Sequence, residues 1–177
     1  MRFKSLQVID LRAFLLIFFF LGWAFASLDE VMEKAEKFAA VTHNHPEGIK
    51  GAQVTAGAIY LARKGATKNQ IREFVVGKFG YDLTRTIDVI RTDYKFDVSC
   101  QGSVPQAITA FLESMDFEDA IRNAISIGGD SDTIACIAGG IAEAFYEEVP
   151  REISEVVTMY LPQEMRGTIK AFYKRFA

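Results

Sequence analysis

Cysteine and histidine are scarce in this chain of 177 residues, which has two of each. Cys100 and Cys136 lie far apart and outside any C-x-x-C arrangement, which excludes a disulfide-dense scaffold and a zinc ribbon. A reduced compartment is the simpler expectation. Cys136, in an apolar helical stretch, reads as a small buried hydrophobe, with a Cys100–Cys136 disulfide as the alternative. Basic runs are also missing. Lys and Arg number 20 against 23 Asp and Glu, a formal charge of −3, and no aromatic-basic pattern repeats, so nucleic acid is excluded as a partner. The uncharged apolar run from Ala13 to Phe25 falls short of the roughly 20 residues of a comfortable membrane span, and no stable span is expected. No internal repeat, low-complexity tract or flexible linker divides the chain. Half of its residues are hydrophobic, enough for one globular domain with a substantial core.

Residues 1–26 differ from the rest. Arg2, Lys4 and Arg12 precede the apolar run, and Ala24-Phe25-Ala26 stands before Ser27, which is the outline of a cleavable secretory signal. The competing reading is a buried helix. The expected division is therefore an atypical apolar segment over 1–26 and a helical domain over 27–177, cytoplasmic unless the segment is cleaved during secretion.

From Ser27 onward the hydrophobic period is helical. Ser27-Leu28-Asp29-Glu30 reads as a capping box, followed by one face with Leu28, Val31, Met32, Ala35, Phe38 and Ala39. Pro46 opens a helix with Ile49, Ala52, Ala56 and Ile59 on one stripe, ending near Gly65. Thr67 to Gln70 is a second capping box, with Ile71, Phe74 and Val75 inward, and Leu83, Ile87 and Ile90 fit a further helix. Tyr94 to Val98 alternates but has no partner strand, so it reads as an extended connector. Ser103 is expected to cap the next helix, with Pro105 just inside and Ala107, Ile108, Phe111, Leu112 and Met115 buried. Stripes from Phe117 to Ile125, Ile134 to Phe145, Pro150 to Tyr160 and Met165 to Phe176 complete an all-α orthogonal multi-helix bundle with functional loops between helices.

Two loops carry chemistry. Gly128-Gly129-Asp130-Ser131-Asp132-Thr133 sets two carboxylates and hydroxyls between apolar flanks, at the mouth of a helix. Such oxygens suit Mg²⁺, Ca²⁺ or Mn²⁺, and the double glycine gives the turn that lets both Asp face one ion. The plainer reading is an Asp N-cap, worth roughly 0.5–2 kcal/mol. Burying two anions without a cation is costly, which favours an ion or a basic partner. The second loop, Thr42-His43-Asn44-His45-Pro46-Glu47-Gly48, holds both histidines. Either Asn44 or His45 caps the Pro46 helix and hydrogen bonds hold His43, or the pair recognises a sugar or phosphate near the metal.

The run from Thr42 to Gly48, the run from Phe96 to Ala107 containing Cys100-Gln101-Gly102-Ser103, and the block from Ala120 to Ala135 resemble, in order and spacing, the C-terminal half of the ADP-ribosylglycohydrolases. The resemblance covers roughly residues 22–177, since Gly22-Trp23-Ala24-Phe25 also looks like the family, and it favours an internal origin for that piece. It implies an all-α fold of that type, two Mg²⁺ or Mn²⁺ ions, and cleavage of ADP-ribose from modified targets; the family also includes a crystallin used structurally. By that likeness Asp130, Asp132 and Thr133 are metal ligands, His43 lies beside ADP-ribose with His45 near it, and Gln101, Gly102 and Ser103 match a loop at the substrate cleft. No catalytic residue is assigned. ADP-ribose or an ADP-ribosylated protein is the implied partner.

The family's other metal ligands come from a Gly-Asp and a Thr-Asp-Asp-Thr segment, and neither occurs here. The expectation is a partial, truncated or degenerate member, weakly active or inactive alone, with at most weakly held ions. The alternative is a non-catalytic helical protein that keeps ADP-ribose or metal binding, or only a structural role.

Overall fold

The computed structural model describes residues 19–176, and among them all regular structure is helical. A helical stretch at 19–24 precedes α1 (Leu28–Thr42), α2 (Pro46–Arg63), α3 (Lys68–Phe79), α4 (Ile87–Asp93), α5 (Cys100–Leu112), α6 (Phe117–Ser126), α7 (Ser131–Tyr146), α8 (Arg151–Tyr160) and α9 (Gln163–Phe176). The all-α expectation holds. Among the described residues no helix is long and apolar enough to cross a membrane.

The centre is built from α2, α5 and α7, which pack on one another. Small residues make this possible. α2 buries Gly51, Ala52, Ala56, Gly57, Ala58 and Ala62, and α7 buries Ala138, Gly139, Gly140, Ala142 and Ala144. Side chains of this size let neighbours come close: a Cβ on Gly57 would stand 2.5 Å from the Phe74 ring, and one on Gly139 2.8 Å from Ile121. α1 and α3 pack on α2, and α6 covers α5 and α7. Phe111, Ile108, Ile134, Ile137 and Ile141 fill the middle, with Phe145 edge-on to Phe111 at 5.2 Å between centroids.

Local signals fix the boundaries. At Thr67 both halves of the capping box are closed, and Gly80, in the left-handed region, ends α3. Ser27 accepts the Glu30 N–H at 3.2 Å as an N-cap. Of the α1 face, Val31, Met32, Ala35 and Ala39 are buried, whereas Phe38 sits at the edge of that stripe and is exposed. Leu83 is buried from the loop between α3 and α4, not from a helix: its carbonyl accepts from Arg72 at 2.7 Å, and α4 starts only after Thr86. The expected burial of Met115 is also corrected. α5 ends at Leu112, so Met115 falls in the loop before the Asp116 cap and is 83% exposed.

The described part of the N-terminal apolar run belongs to the packed body. Leu21 is buried, Gly22 abuts Ile59, and Phe20 and Trp23 meet Phe172 of α9 at 4.9 and 6.4 Å. Arg63 donates to the Trp23 carbonyl. The basic start with Arg2, Lys4 and Arg12, and the run as far as Phe18, lie outside the described residues. Phe111→Ala is expected to lower unfolding free energy by about 3–5 kcal/mol through lost burial and a cavity. Met115→Ala should stay within about 0.5 kcal/mol. Urea denaturation of both variants measures the contrast.

Candidate metal and substrate site

α6 ends at Ser126, and the chain turns into α7 through two glycines with φ of +77° at Gly128 and +63° at Gly129. Two successive left-handed residues require glycine. At Gly129 space demands it as well, because a Cβ there would stand 2.6 Å from the Tyr94 ring. Asp130 then takes the N-cap position of α7, yet its side chain makes no capping hydrogen bond. An ordinary cap is therefore not what this carboxylate does. It is 8% exposed, and Thr133 is 1% exposed. Asp132, expected to be buried, is exposed instead, and its carboxylate accepts the Thr133 N–H at 3.0 Å. Both carboxylates sit at the positive end of the α7 dipole, which favours anions. One turn on, burial and then the Asp132 charge push the Cys136 thiol up to about 11, so it is an inert neutral hydrophobe at neutral pH.

The second group of residues lies at the start of α5. Ser99, not Ser103, is the N-cap: its hydroxyl accepts the Gly102 N–H at 3.1 Å. Ser103 is buried within the first turns and donates to the Asp97 carbonyl at 2.9 Å. The Asp97 carboxylate accepts the Ser99 N–H at 2.7 Å, and this backbone bond with help from the Ser99 side chain holds its carboxyl below the usual range. A Cβ on Gly102 would lie 2.1 Å from that carboxylate, so only glycine fits beneath it. Gln101 remains exposed and lines a cavity of about 410 Å³ with Glu47, Lys50, Tyr81 and Gln106. Gly102 and Gln106 line an adjoining cavity of about 360 Å³ with Tyr94 and Asp97.

The histidine loop leads into α2. His45 is the N-cap, its Nδ1 accepting the Glu47 N–H at 3.2 Å, and His43 Nδ1 lies 2.9 Å from Thr42 Oγ1. The capping alternative for His45 is thus realised. Gly51 of α2 abuts Cys100 at the start of α5, where an added Cβ would stand 2.9 Å from the Cys100 Cβ. Tyr94, whose ring lies on Gly129, joins the start of α5 to that of α7. The three motifs are gathered at the beginnings of three mutually packed helices.

Asp130, Asp132 and Thr133 offer hard oxygen donors, a chemistry that fits Mg²⁺ or Mn²⁺ as one wall of a coordination sphere. Among the described residues no group of three or more His, Cys, Asp and Glu comes together to hold a metal. Tyr94 and Asp97 did not stand out in the sequence. The Asp-x-Ser pattern of an Asx turn marks Asp97, whereas only the alternation of the connector touches Tyr94.

The ADP-ribosylglycohydrolase family model matches residues 11–177. Human (Homo sapiens) ADP-ribosylhydrolase ARH3 is 25% identical over 174 residues, covering 72% of this chain and 48% of the relative. The Bos taurus protein of the same name is 28% identical over the same shares. ADP-ribosylarginine hydrolase Tri1 of Pseudomonas putida (strain GB-1) is 27% identical over 118 residues, 61% of this chain and 30% of the relative. The chain spans about half the length of the first two of these relatives. With a match running through the histidine loop, the start of α5 and the Gly-Gly-Asp turn, the chain belongs to the ADP-ribosylglycohydrolase family.

Proposed function

We propose that this chain supplies one side of a metal-dependent ADP-ribosyl hydrolase site, acting on the glycosidic bond between ADP-ribose and a modified protein. The observation that supports the reading is the Gly128–Thr133 turn, in which two left-handed glycines bring the nearly buried Asp130 together with Asp132 and Thr133 to the start of α7. Asp130, Asp132 and Thr133 are the residues that would hold Mg²⁺ or Mn²⁺. Bound ions would supply positive charge and a water of lowered pKa for attack at the anomeric carbon.

The remaining residues serve the ligand in different ways. His43 and His45 stand at the mouth of α2 where a phosphate or ribose oxygen would meet an imidazole, with the His45 Nδ1 engaged by the Glu47 N–H. Gln101, exposed beside a polar cavity, is the one residue of the α5 start with a side-chain amide available to a ligand. Gly102 and Ser103 shape the loop: one makes room for Asp97, and the other spends its hydroxyl on the Asp97 carbonyl. The names of the relatives, an ADP-ribosylhydrolase and an ADP-ribosylarginine hydrolase, agree with an ADP-ribosylated protein as substrate class.

Two carboxylates and one hydroxyl are too few oxygens to hold two divalent ions tightly, since each demands six or more ligands. Ion binding by this chain alone is therefore weak and turnover slow or absent. Calorimetric titration with Mn²⁺ and ADP-ribose should give heat for both, with Asp130→Asn weakening Mn²⁺ at least tenfold. A folded protein giving no heat with either ligand contradicts the site and leaves the structural alternative. In a release assay on ADP-ribosylated protein, the chain alone should run near the uncatalysed rate. Rapid release lost in Asp132→Ala would overturn the claim of weak activity.

A further inference from the structure

The cavity beside Gln101 holds two buried polar groups that the fold leaves unpaired. One is on Tyr81, which follows the Gly80 cap of α3, lines the cavity and is 6% exposed. The Tyr81 hydroxyl and the Glu47 Oε2 are both buried and close no hydrogen bond. Lys50 neighbours both, its Nζ 4.1 Å from the centre of the Tyr81 ring and 3.8 Å from Glu47 Oε2, too far to donate to that oxygen. Burial, followed by the nearby Cys100 and Glu47, raises the Tyr81 phenol above its ordinary range, so the O–H keeps its proton. Unpaired buried donors and acceptors are costly, and structures keep few of them.

These groups call for a neutral ligand that donates and accepts side by side. A carboxylate oxygen takes an N–H, while a phenol O–H and a lysine ammonium donate to a carbonyl. An amide group offers both in one plane. Charge on the walls argues against a phosphate: Lys50 and Arg85 are matched by Glu47 and Asp82, and Arg85 is already paired with Asp93. The ligand space is also longer than one amide. The cavity shares Arg85 and Gln106 with the adjoining one, which reaches Tyr94, whose ring lies on Gly129, next to Asp130. Gln101 and Gln106 of α5 add side-chain amides to the walls, and these pair readily with further peptide groups.

We propose that this groove binds the backbone of a polypeptide, one peptide group donating to Glu47 and accepting from Tyr81, and so holds the protein target beside the ADP-ribose site. That the polypeptide is the modified target rests on the function proposed above. The test is a titration of the ion-free chain with acetyl-triglycine N-methylamide, followed by amide resonances. Saturable shifts are expected at Tyr81, Asp82, Gln101 and Gln106. The dissociation constant should rise about fivefold in Tyr81→Phe and roughly tenfold or more in Glu47→Ala. The thermal midpoint of Tyr81→Phe should not fall, because the hydroxyl closes no hydrogen bond in the free chain. A lower midpoint would show the hydroxyl bonded within the fold and overturn its role. Absence of saturable shifts overturns the groove even where ADP-ribose gives heat, whereas peptide shifts without that heat uphold the groove and remove the hydrolase reading. Acetamide binding as tightly as the peptide, or pyrophosphate moving the same resonances in its place, overturns the polypeptide as occupant.

Discussion

Alanine and glycine on the buried sides of α2 and α7 let these helices pack closely with α5, and the placement of the candidate site depends on that packing. The histidine loop, the Asp97–Ser103 turn and the Gly-Gly-Asp turn are far apart in the chain. They become neighbours because the helices they begin are packed together. Bulk is supplied from the flanks: Phe74 fills the space over Gly57, and Ile121 that over Gly139. A larger side chain at either glycine would displace a neighbour and disturb the starts of the helices.

Electrostatics acts on this frame at the helix starts. An N-terminus favours anions, and Asp130 and Asp132 stand at that of α7. The two are not equivalent. Asp132 is exposed and bonds locally to Thr133, while Asp130 is nearly buried and makes no cap bond. Asp97 is held at the neighbouring α5 start by hydrogen bonds from Ser99. The start of α2 differs again, because a histidine occupies the cap position and Pro46 gives up no needed N–H.

Most of the helices were legible because their signals are local. Thr67 with Gln70, Asp116 before Phe117 and Pro46 after His45 announce helix starts, and the small-residue stripes of α2 and α7 announce burial. The sequence misled where a hydrophobic period runs past a helix end, as at Leu83 and Met115. Two serines precede Pro105, and only the hydrogen bonds show that Ser99 and not Ser103 is the cap. The Gly128–Thr133 turn was legible as chemistry, but not the different exposure of its two aspartates. Tyr94 was beyond reach, since its closeness to Gly129 is a tertiary contact across more than 30 residues of chain with no local signature.

The central claim is that divalent ions bind at the start of α7. Amide resonances recorded while Mn²⁺ is added in substoichiometric amounts test this directly, because the paramagnetic ion broadens nearby nuclei first. Selective loss of Gly129, Asp130, Asp132 and Thr133, ahead of the rest of the chain, is the predicted result. Broadening first at Glu143, Glu147 and Glu148, the acidic residues at the opposite end of α7, would contradict it.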